Sequence, residues 1–243
     1  QDMDLFSKHD KEKAIYLEYK GDKNGNRVPD PKEIGIKYLK DDGDFRSEEC
    51  IELLKQADIV CTNPPFSLSR EYIVQLMKYE KKFLIIGNFN AISCKEIFPL
   101  IRDNKIWLGV SPRGMVFDSP NGLTKPVNAC WFTNLPHRKQ NEELILIQKY
   151  KGNEKQYPKY DNYDAINVDK VKDIPMDYDG VMGVPITFLD KYNPKQFEIV
   201  GIDRYIENNP NYGKRFSLFG KEIYARMVIR RKQWMSGWGN QGH

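Results

Sequence analysis

Apolar runs and amphipathic segments alternate along the first part of the chain. The runs "ADIVCTN" (57–63) and "FLIIGN" (83–88) have the length and composition of strands that are covered on both faces. Apolar positions at helical spacing predict a helix over 47–57, where Ser47 can cap the first turn, and a second helix over 67–82. Strands and helices therefore alternate, as they do in an α/β sheet.

Further elements follow in the same half of the chain. The segment 90–104 predicts a third helix, bent or broken at Pro99. Three consecutive strands are predicted after it, at 105–111, 127–135 and 143–150. We therefore expect an α/β fold with a doubly wound, mostly parallel sheet and an antiparallel edge. Ligands of such sheets bind beyond the carboxyl ends of the strands.

The character of the sequence changes at about residue 151. Tyrosines and charged residues without a clear period fill 151–180, and strands are predicted within 181–203 and at 221–232. We therefore divide the chain into a core, residues 1–150, and a C-terminal α+β region, residues 151–243.

Composition indicates a folded protein. Of 243 residues, 40% are hydrophobic and 30% are charged, and the net charge of +4 permits a nucleic-acid partner without requiring one. No apolar run has the length of a membrane span, and nothing at the start resembles a signal peptide, so we expect no membrane partner.

Cysteine and histidine usage gives no sign of a metal site. The cysteines form no CxxC pair, the histidines are scattered, and Cys61 in its apolar run is interpreted as a buried thiol. Reduced thiols favour a cytoplasmic location.

The apolar run 57–63 ends in Asn63-Pro64-Pro65-Phe66. Neither proline can donate an N–H group, so the strand has to stop, and both φ angles are fixed. The Asn63 amide oxygen and the neighbouring carbonyls are acceptors, and Phe66 adds a flat apolar face. Such a pocket could hold the exocyclic amine of a stacked planar ring and direct its lone pair at an electrophile. The alternative is a proline-rich turn without a chemical role.

Several blocks of the chain resemble the EcoRI-type adenine-specific DNA methyltransferase family, whose members use S-adenosylmethionine. The resemblance extends from about residue 35 to residue 232 and includes "DGDFRSEECIELLKQADIVCTNPPFSLSREYI", "KKFLIIGNFNAI" and "DIPMDYDGVMGVPITFLDKYNPKQFEIVGI". It implies a methyltransferase (Rossmann-like) fold and methyl transfer to the N6 amine of an adenine flipped out of duplex DNA. Asn63, Pro64, Pro65 and Phe66 would then form the catalytic pocket.

The resemblance also implies roles for other residues. Asp44 and Phe45, in "GDF", match the segment that holds the adenine of the cofactor in this superfamily. Residues 151–243 would recognise the DNA target, and their basic bias includes Arg204, Lys214 and Arg215. Arg113, on a loop after a strand, is a further candidate for a phosphate contact. We expect a monomer, with a restriction endonuclease that acts on the same DNA site as a conceivable partner.

One departure from the family concerns the methyl donor. We find no F-x-G-x-G and no glycine-rich loop between a strand and a helix, so we expect these 243 residues alone to bind S-adenosylmethionine weakly or not at all. Two other functions stay open. One is an amino-methyltransferase that acts on cytosine or on a protein glutamine; the other is a non-catalytic DNA-binding relative.

Overall fold

The computed structural model describes residues 14–111, 114–118, 124–206 and 212–232. The chain forms two compact units, residues 1–60 and 61–243, and the boundary between them falls within a strand. Its α-helices are α1 (Glu48–Gln56), α2 (Ser69–Lys78) and α3 (Phe98–Arg102). The first eight strands are β1 (Ile15–Tyr19), β2 (Ile34–Tyr38), β3 (Ile59–Thr62), β4 (Lys82–Asn88), β5 (Trp107–Leu108), β6 (Met115–Asp118), β7 (Thr124–Val127) and β8 (Ala129–Thr133). The remaining strands are β9 (Ile166–Asn167), β10 (Val181–Pro185), β11 (Phe197–Ile202), β12 (Ser217–Leu218), β13 (Lys221–Glu222) and β14 (Arg226–Arg231).

The first unit contains a β-hairpin and a helix. β1 and β2 pair antiparallel, with Leu17 opposite Ile36. Helix α1 begins after Ser47, whose Oγ accepts a hydrogen bond from the Cys50 N–H at 3.2 Å. This N-cap satisfies one of the donors that a helix start leaves unpaired, so the predicted cap is confirmed.

In the second unit, β4 lies at the centre of a sheet with the strand order β3-β4-β8-β5. Phe83 and Ile85 of β4 are completely buried, as is Phe132 of β8. Side chains extend the pairing beyond the strand ends, because Asn134 Oδ1 accepts from the Phe83 N–H at 2.8 Å and Asn134 Nδ2 donates to the Lys81 carbonyl at 2.8 Å. Helix α2 packs on this sheet through buried residues at helical spacing, as the sequence predicts.

The C-terminal half of the second unit is built on another sheet, with the order β11-β14-β10-β9. β14 pairs antiparallel with both neighbours, and a bulge lies between Ile199 and Gly201 on β11. Phe188 and Phe197 pack edge to face, with ring centroids 5.1 Å apart, and neither is exposed. The strands predicted within 181–203 and at 221–232 are present, as β10, β11 and β14.

The architecture is mixed α/β, with several small sheets and few helices. The mostly parallel, doubly wound sheet expected from the sequence is not seen in the strand pairs whose registers are described, where only β9 and β10 run parallel. β8 pairs antiparallel with both β4 and β5. The described residues between β5 and β8 form the β6–β7 hairpin and no helix, so the helical crossover that parallel neighbours need is not seen there.

Three local predictions were wrong. Pro99 does not bend a long helix but lies in the first turn of the short α3, where its missing N–H costs nothing. Most of the segment 143–150 is extended without strand pairing; the Gln196 side-chain amide bonds both the N–H and the C=O of Leu144. Cys61 of β3 is exposed rather than buried.

No helix in the described ranges of the chain has both the length and the apolarity that a membrane crossing requires.

Candidate active site

The Asn63–Phe66 turn joins the end of β3 to the start of α2. The Pro65 carbonyl accepts hydrogen bonds from the N–H groups of Leu68 and Ser69, at 2.9 and 3.1 Å. Pro65 therefore begins the helical turn that α2 continues, while the two proline rings limit the backbone before it. The sequence prediction that a strand stops abruptly at these residues is confirmed, and the turn is a rigid strand-to-helix junction.

Ser69 fixes the position of the Phe66 backbone. Its side chain is buried, and its Oγ donates a hydrogen bond to the Phe66 carbonyl at 2.9 Å. The same hydroxyl lies against β4, since a methyl group added to Gly87 would be 3.7 Å from Ser69 Oγ. The turn is thus held from two sides, by its own helix and by the neighbouring strand.

We expect Ser69→Ala to lower about tenfold the kcat of the methyl transfer that the family resemblance implies, because the Phe66 backbone loses a hydrogen bond and small misplacements of a reacting group are costly. The free energy of unfolding should fall by about 1–2 kcal/mol, because a partly buried carbonyl loses its hydrogen-bond donor. Ser67→Ala is the matched control, since Ser67 is exposed in the same turn. Steady-state kinetics and thermal melts of both variants provide the measurement. Equal behaviour of the two would refute the anchoring role.

Two acceptors of the turn are available for a ligand. Asn63 is exposed and Pro64 is half-buried, and within the described ranges no group donates a hydrogen bond to the Asn63 side chain or to the Pro64 carbonyl. Phe66 is also half-buried, so part of its ring is accessible. Two oxygen acceptors beside an aromatic face match the requirements of an exocyclic amine on a planar base.

Asp44 and Phe45, the predicted cofactor residues, lie in the first unit and both contact Arg46. Asp44 Oδ1 accepts from the Arg46 N–H and Nε at 2.8 and 2.9 Å, and Oδ2 accepts from Nη2 at 2.5 Å. These hydrogen bonds lower the pKa of Asp44 to about 2, so the carboxylate is ionised at any physiological pH. The Arg46 guanidinium also lies 5.3 Å from the centroid of the Phe45 ring.

The basic residues singled out for DNA contact differ in their surroundings. Arg204 and Lys214 are exposed, and a backbone hydrogen bond of 2.7 Å from Gly213 to Arg204 brings their segments together. Arg215 instead bonds the buried carboxylate of Asp203 at 3.4 Å, and burial raises the pKa of that carboxyl. Arg113 lies outside the described residues.

A cleft that the sequence did not reveal opens close to the turn. Its charged and aromatic lining residues are Arg70, Lys95, Glu96, Phe98, Arg102, Tyr205 and Tyr212, and we call it the basic-aromatic cleft. Arg70 follows Phe66 by one helical turn, whereas the two tyrosines come from the C-terminal half and meet edge to face with centroids 5.9 Å apart. Residues so distant in sequence show no common sequence pattern, although the tyrosines lie close in sequence to Arg204 and Lys214, which the sequence analysis names as basic residues of the DNA-recognition region.

The described residues hold no group of three His, Cys, Asp or Glu side chains arranged to bind a metal ion.

Comparison with known proteins identifies the family. Residues 1–232 match the profile of the family described as "Adenine-specific methyltransferase EcoRI". The chain belongs to this family. As an EcoRI-family member it is an adenine-specific DNA methyltransferase, which confirms the resemblance inferred from the Asn63–Phe66 motif and its neighbouring blocks and favours that reading over the two alternatives.

Individual relatives agree with the family assignment. The chain is 48% identical to the Type II methyltransferase M.EcoRI of Escherichia coli, over 90% of this chain and 71% of the relative. It is 41% identical to the Type II methyltransferase M.MgeORF184P of Mycoplasma genitalium, over 86% of this chain and 74% of the relative. It is 38% identical to the Type II methyltransferase M.MpnI of Mycoplasma pneumoniae, over 84% and 73%. No solved structure matches this EcoRI-family chain significantly.

Proposed function

We propose that the Asn63–Phe66 turn is the pocket in which this methyltransferase modifies the N6 amine of an adenine flipped out of a specific duplex DNA sequence. The observation that carries the proposal is the pair of available acceptors, Asn63 Oδ1 and the Pro64 carbonyl, beside the accessible ring of Phe66. We further propose that β3, the turn, α2 and β4 form one strand-to-helix unit of a methyltransferase-type fold.

The amine is held by both of its hydrogens. One is donated to Asn63 Oδ1 and the other to the Pro64 carbonyl, since the Pro65 carbonyl already serves the N–H groups that open α2. The adenine ring stacks on Phe66. With both N–H bonds fixed, the nitrogen lone pair is directed out of the pocket, towards the methyl donor.

S-adenosylmethionine, the methyl donor of this proposal, supplies an electrophilic methyl group on a sulfonium sulfur when it is bound. As the C–N bond forms, the bond between the methyl carbon and the sulfonium sulfur breaks, and the sulfur leaves as a neutral thioether. The amine nitrogen thereby gains positive charge and its hydrogens become more acidic. The Asn63 and Pro64 oxygens stabilise this charge because they are already oriented, and one proton then leaves to solvent. No strong base is needed before attack, since the proton becomes acidic only as the bond forms.

Asp44 and Phe45 fit the adenine end of the cofactor in part. The Asp44 carboxylate is ionised, and its Oδ2 accepts a hydrogen bond from Arg46 Nη2. A carboxylate oxygen has two lone pairs, so Oδ2 can also accept a hydrogen bond from an exocyclic amine. Phe45 offers an aromatic face, which the Arg46 guanidinium currently approaches. We propose that these two residues contact the cofactor and that the Arg46 guanidinium moves away from the Phe45 ring when the cofactor binds.

We expect weak or undetectable binding of S-adenosylmethionine by these 243 residues. The reason is that no glycine-rich loop between a strand and a helix is recognisable in their sequence to hold the rest of the cofactor. Isothermal titration calorimetry measures this directly, and S-adenosylhomocysteine serves as a second ligand. Binding with micromolar affinity would show that other residues complete the pocket.

Residues 1–150 are proposed to form the catalytic core and residues 151–243 the target-recognition region. Arg204 and Lys214 are proposed to bind phosphates, since both are exposed and adjacent. Arg113 keeps the same proposed role. Arg215 has an internal carboxylate partner, so its contribution would be to orient this basic segment as well as to meet DNA.

We also propose that the protein is cytoplasmic, because its duplex DNA substrate lies there. We propose in addition that it acts as a monomer. The relatives are named Type II methyltransferases, which favours a restriction endonuclease of the same DNA specificity as a partner in the same cell. Light scattering on the purified chain tests the monomer.

The test of the function is transfer of a labelled methyl group from S-adenosylmethionine to a mixture of duplex DNA, followed by digestion of the product to nucleosides. Label in N6-methyladenine supports the proposal, whereas label in a methylated cytosine or in the protein itself would support another amino-methyltransferase. DNA binding with no transfer at any cofactor concentration would favour the non-catalytic alternative.

A further inference from the structure

The loop between β1 and β2 carries five side chains that contain oxygen atoms. Residues 22–33 read "DKNGNRVPDPKE", and nothing in methyl transfer uses them. Counted from Asp22, side-chain oxygens stand at the first, third, fifth, ninth and twelfth positions, on Asp22, Asn24, Asn26, Asp30 and Glu33. Twelve-residue calcium loops place their ligands at the same positions, together with the backbone carbonyl of the seventh, which here is Val28.

Glu33 provides independent evidence for a ligand in this loop. The residue is only 8% exposed. Its Oε1 accepts from the N–H groups of Lys23 and Asn24, at 2.7 and 3.2 Å, so the carboxylate points into the loop. Its Oε2 is buried without a hydrogen-bond partner in the described part of the protein. A buried, unpaired carboxylate oxygen is costly, and a cation in the loop would satisfy it.

The loop backbone already has the turn that a calcium loop requires. Asp22 Oδ1 and Oδ2 each accept a 2.6 Å hydrogen bond, from the N–H groups of Gly25 and Arg27 respectively. Arg27, at the sixth position, has a φ angle of 62°, in the left-handed region that the usual glycine of such loops adopts. The sequence departs from the consensus at that residue, but the backbone conformation is retained.

We propose that residues 22–33 bind a calcium ion, with Glu33 as the bidentate ligand. The other ligands are Asp22, Asn24, Asn26, the Val28 carbonyl and Asp30, the last directly or through a water molecule. Such an all-oxygen set with a bidentate carboxylate suits Ca²⁺, whereas Mg²⁺ requires a tighter octahedron and dehydrates reluctantly. The flanking elements are strands, so the ion would brace the β1–β2 hairpin.

The side chains of the loop do not yet surround a common centre. Asp22, Asp30 and Glu33 do not form a three-carboxylate cluster in the described structure, and Asn24 Nδ2 donates to Asp30 Oδ2 at 2.5 Å. Binding therefore requires the exposed Asn24 side chain to turn its oxygen inward and Asp30 to follow. With two amides among five side-chain ligands, the Kd should lie at the weak end of calcium loops, about 10⁻⁵–10⁻³ M.

Calorimetric titration of the full chain with CaCl₂, after removal of metal ions, tests the proposal. We expect one ion per chain and at least an about tenfold loss of affinity in Glu33→Gln, which removes the bidentate charge. Glu52→Gln is the matched control, since Glu52 is an exposed carboxylate on α1 of the same unit, and it should bind as the parent does. Absence of saturable binding by the folded parent, or equal binding by both variants, would overturn the proposal.

Stability gives a second readout. At a Ca²⁺ concentration about 100 times the Kd, mass action should raise the ratio of folded to unfolded protein in the first unit about 100-fold relative to the ratio without Ca²⁺. Asp30→Asn, a change at a partly exposed residue that should not disturb folding, is expected to reduce this gain. Unfolding that is insensitive to Ca²⁺ in the parent, or Mg²⁺ binding as tightly as Ca²⁺, would exclude a calcium site.

Terbium luminescence locates the ion. Tyr19 is the last residue of β1 and lies opposite Ile34, the residue after Glu33, so this tyrosine is at the base of the loop. Tb³⁺ bound in the loop should therefore show emission sensitised by Tyr19, and Ca²⁺ should displace it. In Tyr19→Phe the emission should fall while calcium binding by calorimetry stays unchanged. Emission that is unaffected by this substitution would place the ion elsewhere.

Discussion

Asn63→Ala should lower the rate of methyl transfer to DNA about 10²–10³-fold, which is the usual cost of removing one preorganised partner of a developing charge. The side chain supplies one of the two acceptors for the adenine amine, and the charge that it stabilises appears only as the new C–N bond forms. DNA affinity should change little, since most of the binding energy comes from phosphate contacts elsewhere. The rate is measured with labelled cofactor, and the affinity by fluorescence anisotropy on the same DNA.

The 243-residue chain is expected to bind the cofactor weakly. The kcat/KM values of wild type and variant are therefore compared at the same cofactor concentration. Asn63→Asp keeps one acceptor oxygen and should retain more activity than Asn63→Ala. Asn153→Ala, at an exposed turn of the second unit, is the control and should be unchanged. Asn63→Ala with a rate close to that of the control would place the amine in another pocket.

Local features of the site could be read from the sequence because their causes are local. Two prolines stop a strand wherever they occur, and Ser47 caps α1 because a serine oxygen reaches the N–H of the third residue after it. The role of Ser69 was missed, although it is adjacent to the motif. Its hydroxyl lies next to Gly87 of β4, and no pattern in the sequence indicates that contact.

Strand pairing was harder to predict because it depends on distant partners. The segment 143–150 contains four consecutive apolar residues, as a buried strand does, yet Ile145 and Ile147 are 81% and 73% exposed, and a glutamine side chain bonds Leu144 where a strand would pair. Gln196 lies far along the chain, so its hydrogen bonds to Leu144 cannot be predicted from the apolar run. The mixed α/β class was predicted correctly, but the expected mostly parallel sheet is not seen among the described strand pairs, since periodicity identifies strands and not their neighbours.

The basic-aromatic cleft shows the same limit at the level of function. Arg70 belongs to the helix that follows the motif, and Tyr205 and Tyr212 belong to the C-terminal half, so only the fold brings them together. The sequence shows only that both tyrosines lie close to the basic residues Arg204 and Lys214. The location of that chemistry one helical turn from Phe66 required the structure.

Gly183→Ala should destabilise the second unit by about 3 kcal/mol, the upper part of the usual range for overpacking a core. A Cβ at Gly183 of β10 would overlap the Tyr160 hydroxyl and would lie 2.7 Å from the nearest ring carbon. Tyr160 is buried and cannot withdraw, because its ring packs on Phe216 with centroids 4.5 Å apart and its hydroxyl bonds Asn167 at 2.8 Å. The Tm should fall by roughly 6–12 °C, at 2–4 °C per kcal/mol for a chain of this size.

Gly35→Ala is the matched control, since Gly35 also lies within a strand and an added methyl group there meets nothing closer than 3.6 Å. Its Tm should stay close to that of the parent. Tyr160→Phe in the Gly183→Ala background removes the closest atom but not the ring, so it should recover only part of the loss, and a double-mutant cycle measures this coupling. The prediction is wrong if Gly183→Ala has the Tm of the control, or if the cycle shows no coupling. Either result would mean that β10 moves enough to accommodate the methyl group. The hydrogen bonds among Tyr160, Asn167 and Arg226 would then not fix the position of the Tyr160 ring.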